Sequence, residues 1–519
     1  MSSSSASRYP PLRRFSNHCP SIDSGGTRSS PTLFRSKNSP ETCFCEPCPS
    51  ISISSALARC SDPVAAGMTG TGSFFVYDKV RVGAEERRAR RCEQFLGIFA
   101  GEGCRMVEMD CAEHDKCAAG SEFVAQTVGR MLQKLQLKAT PIDTRGYEIL
   151  LGLVDAAAGE GFDSYCEMFV YNKNAVEQFE KMYAAFQSLR KLLFGSLHEV
   201  LWKQLSSPET CRCRGEPNSS ALEQNHAAQP PIGADSTSRN LNIAIVGFGN
   251  FGQFLAKAFV RQGHAVSGHS RSDHSGVAQR LGVSFFLDAH ELCEAQQPEV
   301  VLFCTSIIST EQALGSFPIQ KLKQGTLFVD VLSVKEFPRD LFLRHLPPCF
   351  DILCTHPMFG PESGGQGWGG LPFVFDRVRV GGERRRASRC DRFLDIFARE
   401  RCRMVEMGCA EHDRHAAGSQ FVAHTVGRAL EGLRLAWTAI DGEEHGTLLR
   451  LVETTAGDSF DLYYGLFRYN KHAVGQMMEL DLAFDFLKNR LFWSVAGASQ
   501  ISGEEPASLE LIGEDDPGL

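Results

Sequence analysis

The stretch Asn242-Ile243-Ala244-Ile245-Val246-Gly247-Phe248-Gly249-Asn250-Phe251-Gly252-Gln253-Phe254-Leu255-Ala256-Lys257-Ala258-Phe259 is an apolar run, then three spaced glycines, then apolar residues at helical intervals. A short apolar run of this kind predicts a strand buried on both faces, and the period that follows predicts a helix packed on it. Between them, Gly247 allows a tight turn, Gly249 lets the backbone approach a pyrophosphate, and Gly252 lets the helix lie close to its strand. Phe248, Asn250 and Phe251 complete this candidate dinucleotide loop. The helix start offers unpaired N–H groups and a positive dipole end to the phosphates.

Working outward, Ala265-Val266-Ser267-Gly268-His269 reads as the second strand. About 20 residues after the glycines an NAD enzyme carries an acid for the ribose 2′-hydroxyl. Here Ser270, Arg271 and Ser272 stand instead, a cation between two hydroxyls that suits a 2′-phosphate. The expected cofactor is therefore NADP, with Asp273 on an NAD ribose as the competing reading. Val300-Val301-Leu302-Phe303-Cys304 and Leu327-Phe328-Val329-Asp330-Val331 read as further strands separated by helical segments. Strands alternating with helices predict an α/β domain of the Rossmann type with a doubly wound parallel sheet. Ligands bind outside the carboxyl ends of such strands, which places Thr305 and Ser306 at the cofactor crevice and Ser333 at its mouth.

An internal repeat organises the rest of the chain. Phe75-Val76-Tyr77-Asp78-Lys79-Val80-Arg81-Val82-Gly83 falls on Phe373-Val374-Phe375-Asp376-Arg377-Val378-Arg379-Val380-Gly381 at an offset of 298 residues. Cys104 to Met109 then answers Cys402 to Met407, Ala112 to Asp115 answers Ala410 to Asp413, and Tyr171 to Lys173 answers Tyr469 to Lys471. A period this long marks a duplicated domain and not a solenoid. Each copy opens on an alternating strand pair and turns helical; Phe421, Val422, Val426, Ala429, Leu430 and Leu433 fall on one apolar face. The expected order is a tail at 1–65, a truncated helical copy at 66–204, a linker at 205–240, the nucleotide domain at 241–365, a mainly helical substrate and dimerisation domain at 366–495, and a second tail at 496–519.

Composition excludes several classes. Apolar and charged fractions of 43% and 22% are those of a globular protein, and a net charge of −8 argues against nucleic acid and anionic membranes as partners, so a small molecule is expected. No apolar run approaches the roughly 18 residues of a membrane span. The 19 cysteines follow no regular framework, and the clusters Cys43, Cys45, Cys48 and Cys211, Cys213 lack histidines at zinc-finger spacing, so no metal is expected. The N-terminal 65 residues are serine-rich and basic without a hydrophobic core segment, a transit-peptide composition that suits a plastid.

Two further motifs are more specific than the glycines: Ser333-Val334-Lys335, and Thr355-His356-Pro357-Met358-Phe359-Gly360-Pro361-Glu362-Ser363-Gly364. On them the chain resembles the arogenate/prephenate dehydrogenase family, most of all its plant chloroplastic members. The resemblance covers about 242–492, and the helical part of 74–195. It implies oxidative decarboxylation of a cyclohexadienyl ring, giving tyrosine from arogenate or 4-hydroxyphenylpyruvate from prephenate. It matches His356 to the catalytic histidine and Ser333 to a hydroxyl on the same substrate oxygen. His424 corresponds to a histidine of the substrate pocket, and Gln420 lies one turn earlier on the same face. Asp458, within Gly457-Asp458-Ser459-Phe460-Asp461, can pair with the ammonium of arogenate or cap the next helix. His412 is expected to orient its helix start, and His415 to face solvent.

The first copy has no glycine loop, no Ser-Val-Lys and no His-Pro motif, so it cannot carry this chemistry. Gln126 stands where the second copy has His424, Glu122 where it has Gln420, and Gly159-Glu160-Gly161 where it has Gly457-Asp458-Ser459. Its apolar periodicity survives. The chain is therefore expected either to form a homodimer or to pair its two helical copies within one chain. A catalytically inactive NADP-binding scaffold is the alternative from another class.

Overall fold

The computed structural model describes residues 29–33, 53–59, 74–82, 86–206, 240–440 and 443–502, in two units that divide after Cys111. The first unit holds one four-stranded sheet: β1 (Ser29–Leu33), β2 (Ile53–Arg59), β3 (Phe74–Arg81) and β4 (Arg105–Glu108), in that spatial order. Helix α1 (Glu86–Gly101) joins β3 to β4. Phe75 is buried and stacks on Phe99 with centroids 3.7 Å apart.

The second unit begins with the helices of the first copy: α2 (Cys111–Ala118, which spans the division), a π-turn at Ala119–Phe123, α3 (Val124–Gln133), α4 (Arg145–Gly159), α5 (Phe162–Tyr171) and α6 (Lys173–Ser206). The nucleotide domain follows as β5 (Asn242–Val246), α7 (Asn250–Arg261), β6 (Ala265–His269), α8 (Ser275–Leu281), β7 (Ser284–Phe286), α9 (Ala289–Gln296), β8 (Val300–Phe303), α10 (Thr310–Gly315), β9 (Leu327–Asp330), α11 (Glu336–His345) and β10 (Asp351–Pro357). These strands lie in the order β10-β9-β8-β5-β6-β7, all parallel. In domain numbering this is 3-2-1-4-5-6, with the topological switch between β5 and β8. Strands β8, β9 and β10 are buried at every position, as the near-continuous apolar runs require.

The second copy then adds β11 (Pro372–Arg379), α12 (Arg384–Arg399), β12 (Arg403–Glu406), α13 (Cys409–Ala416), a π-turn at Ala417–Phe421, α14 (Val422–Glu431), α15 (Glu443–Ala456), α16 (Phe460–Tyr469) and α17 (Ala473–Ser502). Strand β11 pairs antiparallel with β10, and β12 parallel with β11, so one eight-stranded sheet runs through the boundary expected at 365. Strand pairing carries the chain across because Phe373 and Phe375 are buried in the core of the nucleotide domain, where Phe373 stacks on Phe397 at 3.8 Å.

The helices of both copies from Ala119 onward share one hydrophobic core, which also takes in Ile307, Leu332 and Val334 of the nucleotide domain. Phe484 packs against Phe179 and Phe186 with centroids 5.8 and 5.3 Å away, and Phe169 against Phe492 at 5.6 Å. Polar contacts fix the register: Tyr183 Oη donates to Asp485 Oδ1 (2.9 Å) and Gln187 Nε2 to Asp481 Oδ1 (2.7 Å). Pairing within one chain, one of the two expected arrangements, is thus what the apolar faces do here. The copies also keep matching internal bonds. Asn172 and Asn470 each donate to the carbonyl of the aspartate in their His-Asp pair at 2.7 Å, and the Thr127–Tyr165 and Thr425–Tyr463 hydroxyl contacts are 2.8 and 3.0 Å.

The sequence-based boundaries need correcting at three further places. Residues 29–33 and 53–59, expected to lie in a disordered tail, form strands. At the repeat offset they fall on β9 and β10, and β2 pairs with β3 in the register that β10 takes with β11. Serine and alanine conceal these strands from a search for apolar alternation, because backbone hydrogen bonds hold them, β1 to β2 at the edge and β2 to β1 and β3 on its two sides. The first copy therefore reaches further back than its sequence match, with Ala58 at the position of His356. Second, α17 runs on to Ser502, past the expected start of the C-terminal tail. Third, α6 runs to Ser206, just into the expected linker. The rest of the N-terminal tail, linker residues 207–239, the cysteine clusters and residues 503–519 lie outside the described residues.

Candidate active site

The turn after β5 meets its stereochemical expectations. Gly247 has φ +95°, and a Cβ there would sit 2.7 Å from the Cys304 carbonyl oxygen. A Cβ on Gly252 would lie 2.5 Å from the Gly247 oxygen, so α7 could not approach β5. By contrast, a Cβ on Gly249 would meet nothing within 4 Å. That open space, at the N-terminus of a twelve-residue helix whose first N–H groups lack helical partners, fits a pyrophosphate. Phe248 does something else: its side chain is fully buried, packed over Gly268 and against Phe285, so only its backbone can serve a cofactor. Ser270, Arg271 and Ser272 form the tip beyond β6, the first half-buried and the other two exposed. Asp273 beside them accepts from Ser275 N at 2.8 Å, and this turn holds its carboxyl below the usual range.

A cleft of about 1330 Å³ opens at the carboxyl ends of β8, β9 and β10. It collects Asn250, Phe251, Thr305, Ser306, Ser333, His356, Gln420, His424 and Asp458, nine of the sixteen candidate residues, drawn from both domains. Thr305 and Ser306 are tied into the turn after β8 through Thr310 (2.8 Å) and Ser309 (2.7 Å). The six that remain outside it, besides Phe248, are the glycines and the β6 tip.

His356 lies near the end of β10, 3% exposed. Its Nδ1 is 2.9 Å from His412 Nε2, and His412 Nδ1 is 2.8 Å from Asp413 Oδ1. Asp413 also accepts backbone N–H groups from Lys335 (2.7 Å) and Glu336 (2.9 Å), so both its oxygens act as acceptors. This chain of contacts assigns the tautomers. His412 donates from Nδ1 to the carboxylate, His356 donates from Nδ1 to His412, and the lone pair on His356 Nε2 is left for the cleft. Burial, with the charge of Lys335 adding, pushes both imidazoles well below their ordinary range, so His356 is an unprotonated acceptor at neutral pH. His412 therefore does more than orient a helix: it is fully buried and holds the imidazole of His356. The adjacent His-Asp pair was the available signal, but nothing in the spacing tied it to a residue 56 positions away. His415 is half-buried, not solvent-facing, with Nε2 3.9 Å from Glu411.

Lys335 is 1% exposed and buried with Asp330, to which its Nζ donates, and it also donates to the Thr355 carbonyl at 2.5 Å. It thus ties β9 to the residue preceding His356. On the facing wall, His424 Nε2 is 3.6 Å from Asp458 Oδ2. Burial drops the His424 imidazole to about 4, so this contact is not an ion pair at neutral pH. Burial, helped by the Glu362 carboxylate, lifts the Asp458 carboxyl to about 6. The capping role open to Asp458 falls to Ser459, whose Oγ accepts from Leu462 N at 3.2 Å. His424 Nδ1 and Gln420 Oε1 are buried without a partner, an arrangement that calls for a ligand. Glu362 lines this wall too and was missed, although it sits in the quoted His-Pro motif. The first copy also reaches the cleft, through Asp143, Thr144, Arg145, Gly146 and Glu148.

A doubly wound sheet with a phosphate turn, and a neutral histidine at its carboxyl edge, define a nicotinamide-dinucleotide dehydrogenase. Residues 255–371 match the family described as prephenate dehydrogenase, nucleotide-binding domain, and 131–205 and 429–501 both match TYRAAT1-like, C-terminal domain. The chain is 55% identical over 434 residues to Arogenate dehydrogenase 1, chloroplastic, of Arabidopsis thaliana, covering 81% of this chain and 68% of that one. It is 58% identical over 255 residues to Arogenate dehydrogenase 2, chloroplastic, of the same plant, covering 49% and 71%. A crystal structure of Aquifex aeolicus prephenate dehydrogenase with hydroxyphenyl propionate and NAD+ aligns over 52% of this chain and 94% of that one, with 18% identity and a TM-score of 0.39. The chain belongs to the arogenate dehydrogenase family.

Proposed function

We propose that the protein is an NADP-dependent arogenate dehydrogenase, converting arogenate to tyrosine and carbon dioxide. The observation that carries this reading is the Asp413–His412–His356 chain ending on an unprotonated Nε2 at the cleft. Bound against Gly249 and the start of α7, the nicotinamide dinucleotide would supply the acceptor for the ring C4 hydride. His356 Nε2 takes the proton of the C4 hydroxyl as the hydride leaves, and His412 and Asp413 spread the resulting positive charge. Ser333, which lines the same cleft, would hold that oxygen. Loss of the ring carboxylate as carbon dioxide places its electron pair in the ring, and the proton returns to the phenolic oxygen. Supplying arogenate or prephenate with NADP or NAD and following reduced nicotinamide is the direct test; no turnover with any pair sinks the reading.

The family names of the relatives and the serine-rich, basic N-terminus support a plastid location. NADP is favoured over NAD because Asp273 is engaged by Ser275 while Arg271 is exposed at the tip of β6. Replacing Arg271 with Ala is expected to raise KM for NADP about tenfold or more and leave that for NAD within about twofold, since a charge-assisted contact to the 2′-phosphate would be lost. Equal changes for both cofactors would remove the argument.

Arogenate is favoured over prephenate because Asp458 and Glu362 present carboxylates to an ammonium that the keto acid lacks. Asp458 must be ionised to serve, and His356 is already unprotonated, so the acid limb of kcat/KM for arogenate is expected to turn at about pH 6. Activity is then full above that pH and lost below it. Asp458→Asn should shift the limb to lower pH and raise KM for arogenate at pH 8; a limb that stays in place would assign it elsewhere.

A further inference from the structure

We propose that Arg145, carried by the copy that has no catalytic residues, binds the side-chain carboxylate of the substrate in the cleft of the other copy. The inference rests on the reading of the substrate given above. Its basis is the way the start of α4 is held. Thr144 caps the helix, its Oγ1 accepting from Tyr147 N, and the Asp143 carboxylate accepts from Thr140 N at 2.9 Å. Ile142 is fully buried with Met358, Val374 and Met407, so the loop is pegged into the catalytic copy beside the His-Pro motif. Arg403 on β12 donates to the Pro141 carbonyl at 2.5 Å. A Cβ on Gly146 would stand 3.7 Å from that of Ala423 and 3.9 Å from Thr454 Oγ1. The helix start therefore abuts the wall that carries His424 and, four residues beyond Thr454, Asp458.

Charge accounts for what Arg145 does there. The cleft wall holds the carboxyl groups of Asp143, Glu148, Glu362 and Asp458, while its two histidines are neutral. Its other guanidinium, Arg403, is engaged by Pro141. Arg145 is exposed to the cleft and makes no hydrogen bond or ion pair among the described residues. Arogenate brings two carboxylates and one ammonium. A cation gripping the ring carboxylate would stabilise the group that has to leave, and so oppose the reaction. The side-chain carboxylate survives into the product, next to the ammonium that Asp458 and Glu362 would take, and a guanidinium suits it. At the repeat offset the catalytic copy carries Glu443, of the opposite sign, so it cannot supply this cation from its own equivalent position. The truncated copy is thus part of the substrate site.

The test uses the full chain and two probes, L-tyrosine and tyramine, which differ only in the carboxylate. In calorimetric titration the wild type is expected to bind tyrosine at least tenfold more tightly than tyramine, and Arg145→Ala to cut that ratio about tenfold by weakening tyrosine alone. Arg145→Lys should restore part of it. In turnover, Arg145→Ala should raise KM for arogenate about tenfold, with kcat within about threefold and KM for NADP unmoved. A wild type that does not prefer tyrosine, or an unchanged ratio in Arg145→Ala, overturns the assignment. A wild type that prefers tyrosine yet turns over no substrate would refute the proposed activity while leaving the Arg145 result to be read on its own.

Discussion

His356→Asn is expected to lower kcat for arogenate by about 10²–10⁴-fold, the usual worth of a positioned general base, with dinucleotide affinity within about twofold of wild type. Asparagine can keep a hydrogen bond to His412 Nε2 through its amide, so the strand end and the cleft retain their shape. It cannot take a proton. The His412–Asp413 pair, which stabilises a protonated His356, then has no positive charge to stabilise. Steady-state rates and NADP titration measured on the same preparation decide the matter. Loss of turnover with intact dinucleotide binding supports an enzyme with one base. A wild type with no turnover to lose, but sound NADP binding, would make the chain an inactive scaffold. Retention of more than about a tenth of the rate would require a different proton acceptor.

The second large effect is on stability. Lys335→Met is expected to destabilise the nucleotide domain by about 3–5 kcal/mol, because it leaves Asp330 buried with no counter-ion. Burial already raises the Asp330 carboxyl, and the Lys335 ammonium is what opposes that shift. Without it the folded protein must keep Asp330 protonated, whereas the unfolded chain releases the proton at about pH 4. A group whose folded pKa is raised weakens folding as pH climbs past its unfolded value, so the deficit should widen from about pH 4 upward. The double variant Asp330→Asn/Lys335→Met should be more stable than Lys335→Met alone, since the uncompensated charge is gone. Thermal melts of the two variants at pH 5 and 8 check this. If Lys335→Met melts as wild type does, the pair is not what joins β9 to the strand of His356.

Much of this could be read along the chain because the determinants are local. A phosphate turn needs its glycines at fixed steps after a strand: within six residues Gly247 and Gly252 meet two separate steric demands, and Gly249 leaves open space at the helix start. The repeat is likewise a one-dimensional fact, and its apolar stripes implied a partner surface. Strands β1 and β2 were not legible, because pairing and not apolar patterning holds them. The boundary at 365 was misplaced for a related reason: β11 and β12 alternate like a separate sheet, yet β10 offered a free edge for them to extend.

By itself the sequence determined the doubly wound sheet and the duplication, since each is written in residue types along the chain, and its His-Pro motif singled out His356 as the candidate base through a family resemblance. Only the tertiary structure decided what surrounds that base. Contacts between residues far apart in the chain have no sequence period: His412 reaches His356 across 56 positions, Glu362 faces Asp458, and the loop before Arg145 seats on Met358. They exist because burying two matching apolar faces brings the copies together, and that burial delivers the polar groups of each to a common cleft.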